Sequence, residues 1–248
     1  MGRESARGVW MRLAVVVAWS VAFALVEAMV VYYLRRLFGV QYDLRFSPAG
    51  FHFPRAYLLH EQAREAATMV MLLAPAALVT EKWLERFAWF CFGFGVWDIF
   101  YYVFLKALLG WPATWLDRDV LFLVPVVWVG PVLAPCIISL GLITLACILL
   151  RKRYLDPGFR PHPAQWASLV LCGALFLYTF VEEPLRFIGR SGAGASTATG
   201  HRAMDALGVY VPGQYAWWGF IAATLLGAGT LAGLAVRRPG SGRTERRA

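Results

Sequence analysis

Charge is the scarcest commodity in this sequence. Only 16 % of its 248 residues are charged and 59 % are apolar, against roughly 25 % and 45–50 % in an ordinary soluble domain. So little polar surface argues against a water-soluble enzyme or binding module. Cysteine is sparse as well: Cys91, Cys136, Cys147 and Cys172 all fall inside apolar stretches, and none forms a close Cys-x-x-Cys pair. That argues against a disulfide framework or a zinc site, and the thiols read as small hydrophobes. The four histidines, His52, His60, His162 and His201, include no pair at i, i+3 or i+4. Haem or metal ligation by His is therefore not expected. Serine-hydrolase, zinc-protease, nucleotide-loop and dinucleotide signatures are all missing. No catalytic residue, metal or cofactor can be assigned from the residues.

What is present is length in apolar runs. A crossing helix needs about 20 mainly apolar residues at about 1.5 Å rise each, and six candidate stretches occur. They are 13–34, 65–80, 87–110, 133–150, 165–187 and 215–236, within one membrane-embedded domain over 1–236 and ahead of a basic tail, 237–248, expected to be disordered. The first has the front half of a signal peptide, yet its apolar run continues to Leu34 with no small-residue cleavage site. Between Val120 and Leu150 there are 31 residues without a charge, about 46 Å if helical and longer than the roughly 30 Å hydrocarbon core. Pro125, Pro131 and Pro135 crowd its first half, and proline breaks the helical ladder. The expectation is an all-α polytopic bundle of about six spans with an interfacial or re-entrant segment at Val120–Val132.

The formal charge of +9 sits in short runs flanking the apolar segments, which is the pattern of membrane orientation rather than of nucleic-acid binding. With both termini inside, 14 of the 24 basic residues fall on the inner side and 10 on the outer. That favours cytoplasmic termini in a cytoplasmic membrane. Of those 24, 21 are Arg, as in a GC-rich bacterial genome. Tyr32, Tyr33, Trp111, Trp115, Trp217 and Trp218 are expected to form an outer aromatic belt, and Trp83 and Trp166 an inner one.

Ionisable groups inside lipid are costly and by default face the bundle interior or a cavity. Glu27 and Asp98 are the two deepest. Glu65 and Thr68 open the second span, Lys106 closes the third, and Arg118, Asp119, Glu182 and Glu183 lie near the same level. The candidate polar site is therefore Glu27, Glu65, Asp98, Tyr101, Tyr102 and Lys106, opening toward the extracytoplasmic side. Asp98, Tyr102 and Lys106 at i, i+4 and i+8 suit a carboxylate–phenol–ammonium ladder on one helical face, turned toward the first two spans. For Glu27 the expected partner is Arg64 or Lys106. Glu182 and Glu183, at a helix end, read as solvated.

In the sixth span Gly219, Ala223 and Gly227, with Gly229 and Gly233, offer a close-packing face, for a neighbouring helix of the same chain or for a homo-oligomer or protein partner.

The stretches Trp97-Asp98-Ile99-Phe100-Tyr101-Tyr102, Gly110-Trp111-Pro112 and Trp128-Val129-Gly130-Pro131-Val132-Leu133-Ala134-Pro135 resemble a set of bacterial multi-pass membrane proteins. The resemblance covers about residues 62–138 and implies no activity, since none is assigned to that group. Two functions follow as expectations. The first is a non-catalytic membrane component or subunit of a larger assembly; the alternative is a small transporter or membrane enzyme with a polar pocket around Glu27 and Asp98.

Overall fold

The computed structural model describes residues 6–38, 55–124, 126–190 and 213–237. The loop Ser191–Thr197, the tail from 238 onward, and His52 and His201 lie outside them. The described residues form α1 (Ala6–Phe38), α2 (Arg55–Val79), α3 (Trp83–Leu109), β1 (Arg118–Phe122), β2 (Trp128–Pro131), α4 (Leu133–Leu155), α5 (Pro163–Arg190) and α6 (Trp217–Val236). The architecture is an all-α bundle in which consecutive helices run antiparallel, with one small hairpin. Five helices, all except α2, are long and apolar enough to cross a membrane. α2 has the length, 25 residues, but its first turns carry His60, Glu61, Arg64 and Glu65.

Among the described residues, α1, α2 and α3 pack as a trio that α4 extends toward α6 and α5. α3 is central, packed against α1, α2 and α4, while α5 pairs with α6, which rests on α4. Close approach depends on glycine at one point in particular. A Cβ on Gly95 would stand 2.7 Å from the Ser139 carbonyl oxygen and 2.8 Å from Ile143 Cγ1, so the α3 backbone lies directly against the α4 backbone there. The small-residue face of α6 is largely used internally. Cβ atoms on Gly219 and Gly227 would meet Thr179 Cγ2 and Cys172 Sγ of α5 at 3.0 and 3.1 Å.

The segment expected to be interfacial or re-entrant is an antiparallel β-hairpin, with Asp119 opposite Gly130 and Val120 opposite Val129. Its strands are a detail that the expected position left open. Val, Leu, Phe and Trp favour strands, and prolines at 125 and 131 bar a helix. A hairpin still pairs backbone groups across its strands. Pro135 falls in the first turn of α4, where an N–H would have no intrahelical partner. A Cβ on Gly130 would collide with the Phe180 ring at 2.7 Å, so β2 lies flat on α5. Leu123, Val127 and Val129 pack beside Phe187 and Ile188 of the same helix.

Several polar groups elsewhere in the helices are satisfied locally. Pro75 cannot donate to the Met71 carbonyl, and the Trp19 indole N–H donates to that oxygen instead, at 3.2 Å. Thr144, Thr224 and Thr230 return their hydroxyls to the carbonyls four residues earlier. At the end of the bundle away from the hairpin, the Lys152 ammonium donates to the Ala235 and Arg237 carbonyls at 2.6 Å each, a cation on the C-terminus of α6.

Apart from Trp19 in the middle of α1, most exposed aromatics fall at two levels. Tyr33, Trp115 and Trp218 are exposed at the hairpin end, and Trp10, Trp83 and Tyr154 at the other. Trp10 and Tyr33 on α1 are about 35 Å apart by helical rise, a separation that suits the two faces of a bilayer. Trp111, expected in the outer belt, is instead a core residue at 1 % exposure, packed on Tyr102 and Leu105.

The Gly95 contact yields a paired prediction. Gly95→Ala should destabilise the fold by about 1–3 kcal/mol through overpacking. Gly141→Ala on α4, where nothing lies within 4 Å, should be neutral or stabilising by up to about 1 kcal/mol. Thermal unfolding midpoints in one detergent check the pair, and equal shifts would contradict the packing described.

Candidate polar site at the hairpin end

The deep carboxyls are distributed over separate contacts. Glu27 of α1 is 7 % exposed; its Oε1 accepts from the Thr68 hydroxyl at 2.8 Å, and its Oε2 pairs with Arg64 Nη1. Arg64 also donates through Nε to Glu61 at 2.7 Å. Of the two partners expected for Glu27, Arg64 is the one found. One helical turn of α2 thus places a cation and a hydroxyl on the same buried carboxylate, and this polar clasp holds α2 against α1.

The next residue, Glu65, turns the other way and meets the hairpin. Both of its carboxylate oxygens accept from the Leu123 backbone N–H, at 2.8 and 3.0 Å. The Gln62 side-chain amide donates to the Leu123 carbonyl at 3.2 Å. Leu123 directly follows β1, where the strand ladder has ended, so its N–H and C=O would otherwise be buried without partners. α2 supplies both from residues one turn apart.

The Asp98–Tyr102–Lys106 ladder does not form. Asp98, 8 % exposed, accepts from the Ser139 hydroxyl of α4 at 2.7 Å, so its polar partner is on the fourth helix and not on the first two. Tyr102 donates to Asp119 Oδ2 of β1 at 2.9 Å. The Lys106 ammonium swings to the Pro112 and Gly110 carbonyls, at 2.7 and 3.2 Å. The physical reason is that each side chain finds a closer acceptor or donor off its own helix. Gly110 ends α3 in the left-handed conformation, φ 67°, and turns those carbonyls back toward Lys106.

Tyr101 stands within electrostatic reach of Asp119, Arg64, Glu27 and Arg35. Its ring stacks on Trp97 at 6.1 Å. Glu182 and Glu183 are not simply solvated: Glu182 pairs with Arg186, and Glu183 accepts the Gly213 N–H. Of the six expected site residues, Glu65 and Tyr102 engage the hairpin, Glu27 engages α2, Asp98 engages α4, Tyr101 stacks on Trp97 of its own helix, and Lys106 lies outside the cluster.

Asp119, Ser139 and Gln62 were not among the expected site residues. Asp119 had a signal, since it adjoins the start of an apolar run at the level of the other carboxyls. Ser139 had only its isolation within uncharged sequence. No group of three or more His, Cys, Asp or Glu suited to a metal occurs among the described residues. Comparison with models of known families, with curated proteins and with solved structures finds no match for this chain.

Asp119 is 2 % exposed. Burial pushes its carboxyl up from 3.8 to about 6, against the opposing pull of the Tyr102 hydroxyl, the Arg35 charge and the Val120 N–H. Because the folded value is raised, the neutral acid is the form the fold favours. Its contribution is full below about 3.8 and is lost as the pH rises through about 6. Hairpin amides, corrected for intrinsic exchange rates, should therefore be better protected near about pH 5 than near about pH 7.5. Asp119→Asn should shrink that difference, and an undiminished difference in the variant would contradict the assignment.

Proposed function

We propose that this chain is a non-catalytic integral membrane component, a subunit of a larger assembly in a bacterial cytoplasmic membrane, with six spans and both termini in the cytoplasm. The observation that supports this reading is that Glu27, Glu65, Asp98 and Asp119 are each engaged by a partner in their own chain. Those partners lie on different elements and do not converge on one reacting point. The groups tie elements together, as buried polar groups in lipid must.

The sixth crossing is α2. Its polar first turns are matched by Glu27 and by the Leu123 backbone, so within the bundle they need not face lipid. An even number of spans leaves both termini on one side, and the excess of basic residues favours that side as the cytoplasm. The WDIFYY, GWP and WVGPVLAP stretches, with their bacterial resemblance, favour the membrane named. For a partner or second copy, Gly229 and Gly233 are the part of α6 with open space around them.

A second reading, a small transporter or membrane enzyme with an extracytoplasmic pocket around Glu27 and Asp98, draws support from Tyr101, whose electrostatic reach covers Glu27, Arg64 and Asp119. Extraction in mild detergent followed by native mass spectrometry separates the two. The subunit reading expects a stable oligomer or a stoichiometric partner, and a lone monodisperse monomer favours the rival. Asp98→Asn, which keeps an acceptor for Ser139 and loses the charge, should alter thermal stability or assembly. Loss of a transport or catalytic activity with stability intact would carry the rival. Topology reporters fused after Ala248 should be active as cytoplasmic reporters, and those in the loop 191–200 should not; the reverse pattern would overturn the orientation.

A further inference from the structure

The turn 113–117, between the end of α3 and the hairpin, spends many hydrogen bonds on holding a shape. The Asp117 carboxylate accepts from the Ala113 N–H at 2.7 Å and from the Thr114 hydroxyl at 2.6 Å. The Val132 N–H donates to the Asp117 carbonyl and the Leu133 N–H to the Trp115 carbonyl, at 3.0 and 2.8 Å, fastening the turn to the start of α4. From the other side Lys106 grips the Gly110 and Pro112 carbonyls. Trp111 beneath is fully packed. Yet the apex presents two large apolar side chains outward, Trp115 at 64 % and Leu116 at 60 % exposure.

We propose that this turn is a lipid anchor, with Trp115 and Leu116 seated at the boundary between headgroups and acyl chains of a phospholipid leaflet and Lys106 at the level of the phosphates. Two membrane-crossing helices flank it directly, α3 ending at Leu109 and α4 starting at Leu133, so the lipid-facing surface of the bundle continues onto the turn. Trp115 shares the hairpin end with the exposed Tyr33 and Trp218, the position an amphipathic ring prefers. Lys106 is exposed, and its ammonium has three protons of which the two carbonyls take two, leaving one for a phosphate oxygen. Because the turn is fixed before lipid arrives, seating it orders no additional backbone. Its rigidity sets the depth at which the hairpin sits.

The test uses the full chain in phosphatidylcholine vesicles, comparing wild type with Trp115→Phe so that the difference emission isolates one indole. The difference emission should be blue-shifted from that of an indole in water and resistant to acrylamide. It should be quenched more by lipids brominated near the headgroup end of the chain than by lipids brominated near the terminal methyl. In Leu116→Asp the bromine quenching should fall and acrylamide quenching rise. A difference emission that is red, open to acrylamide and blind to bromine would overturn the proposal. So would shielding that appears only in native membranes and vanishes in pure lipid vesicles, which would mark a protein occupant.

Discussion

The controlling constraint is that hydrocarbon supplies no hydrogen bonds, so a polar group carried into the bundle has to be answered by another part of the chain. The bond between Glu65 and the Leu123 N–H answers two such groups together. It satisfies a carboxylate that lipid would exclude and a backbone donor left over where β1 stops. Remove it and α2 keeps an unmatched carboxyl while the hairpin keeps an unmatched N–H, each costing about 1–3 kcal/mol or more. The Glu27 clasp with Arg64 and Thr68 does the same work between α1 and α2.

The hairpin is the element that these bonds serve. Its backbone just past β1 is held by α2 through Leu123, β1 itself is held by α3 through Asp119, and β2 lies on α5 against Phe180. The hairpin thus reaches from α2 in the first trio of helices to α5 in the last pair. Aromatic contacts continue the link: Phe122 packs on Trp128, Trp128 stacks on Phe180, and Phe180 packs on Tyr215, with centroids 5.3 to 6.4 Å apart. Polar bonds fix which element meets which, while rings fill the space between them. Both draw on residues spread from 27 to 215, so the arrangement belongs to the whole bundle.

Helix positions were legible in the sequence because lipid demands long apolar runs, and the start of α4 at Leu133 follows from the prolines before it. The strands of the hairpin were not. A short apolar run rich in Val, Leu and Phe has no periodicity to distinguish strand from interfacial helix. The start of α2 was also hidden, since the turn bearing His60, Glu61 and Arg64 looks like loop until Glu27 and Leu123 are placed beside it. Glu27, Glu65 and Asp98 were recognisable from depth alone as carboxyls that need a partner, and Arg64 as a partner of Glu27 from charge. The ladder failed because i, i+4 spacing constrains only one helix. Tyr102 and Asp98 each had a partner that becomes adjacent only after β1 and α4 are packed, and no spacing rule within α3 contains that information.

The most direct measurement is hydrogen exchange at the Leu123 amide in lipid nanodiscs, for wild type, Glu65→Gln and Glu65→Ala. If Glu65 holds the hairpin to α2, the wild-type amide is strongly protected. Gln, which retains an acceptor oxygen, keeps much of that protection, and Ala loses it together with protection at neighbouring hairpin amides. Equal protection at Leu123 in all three proteins would show that the hairpin is held by packing alone and would contradict the account.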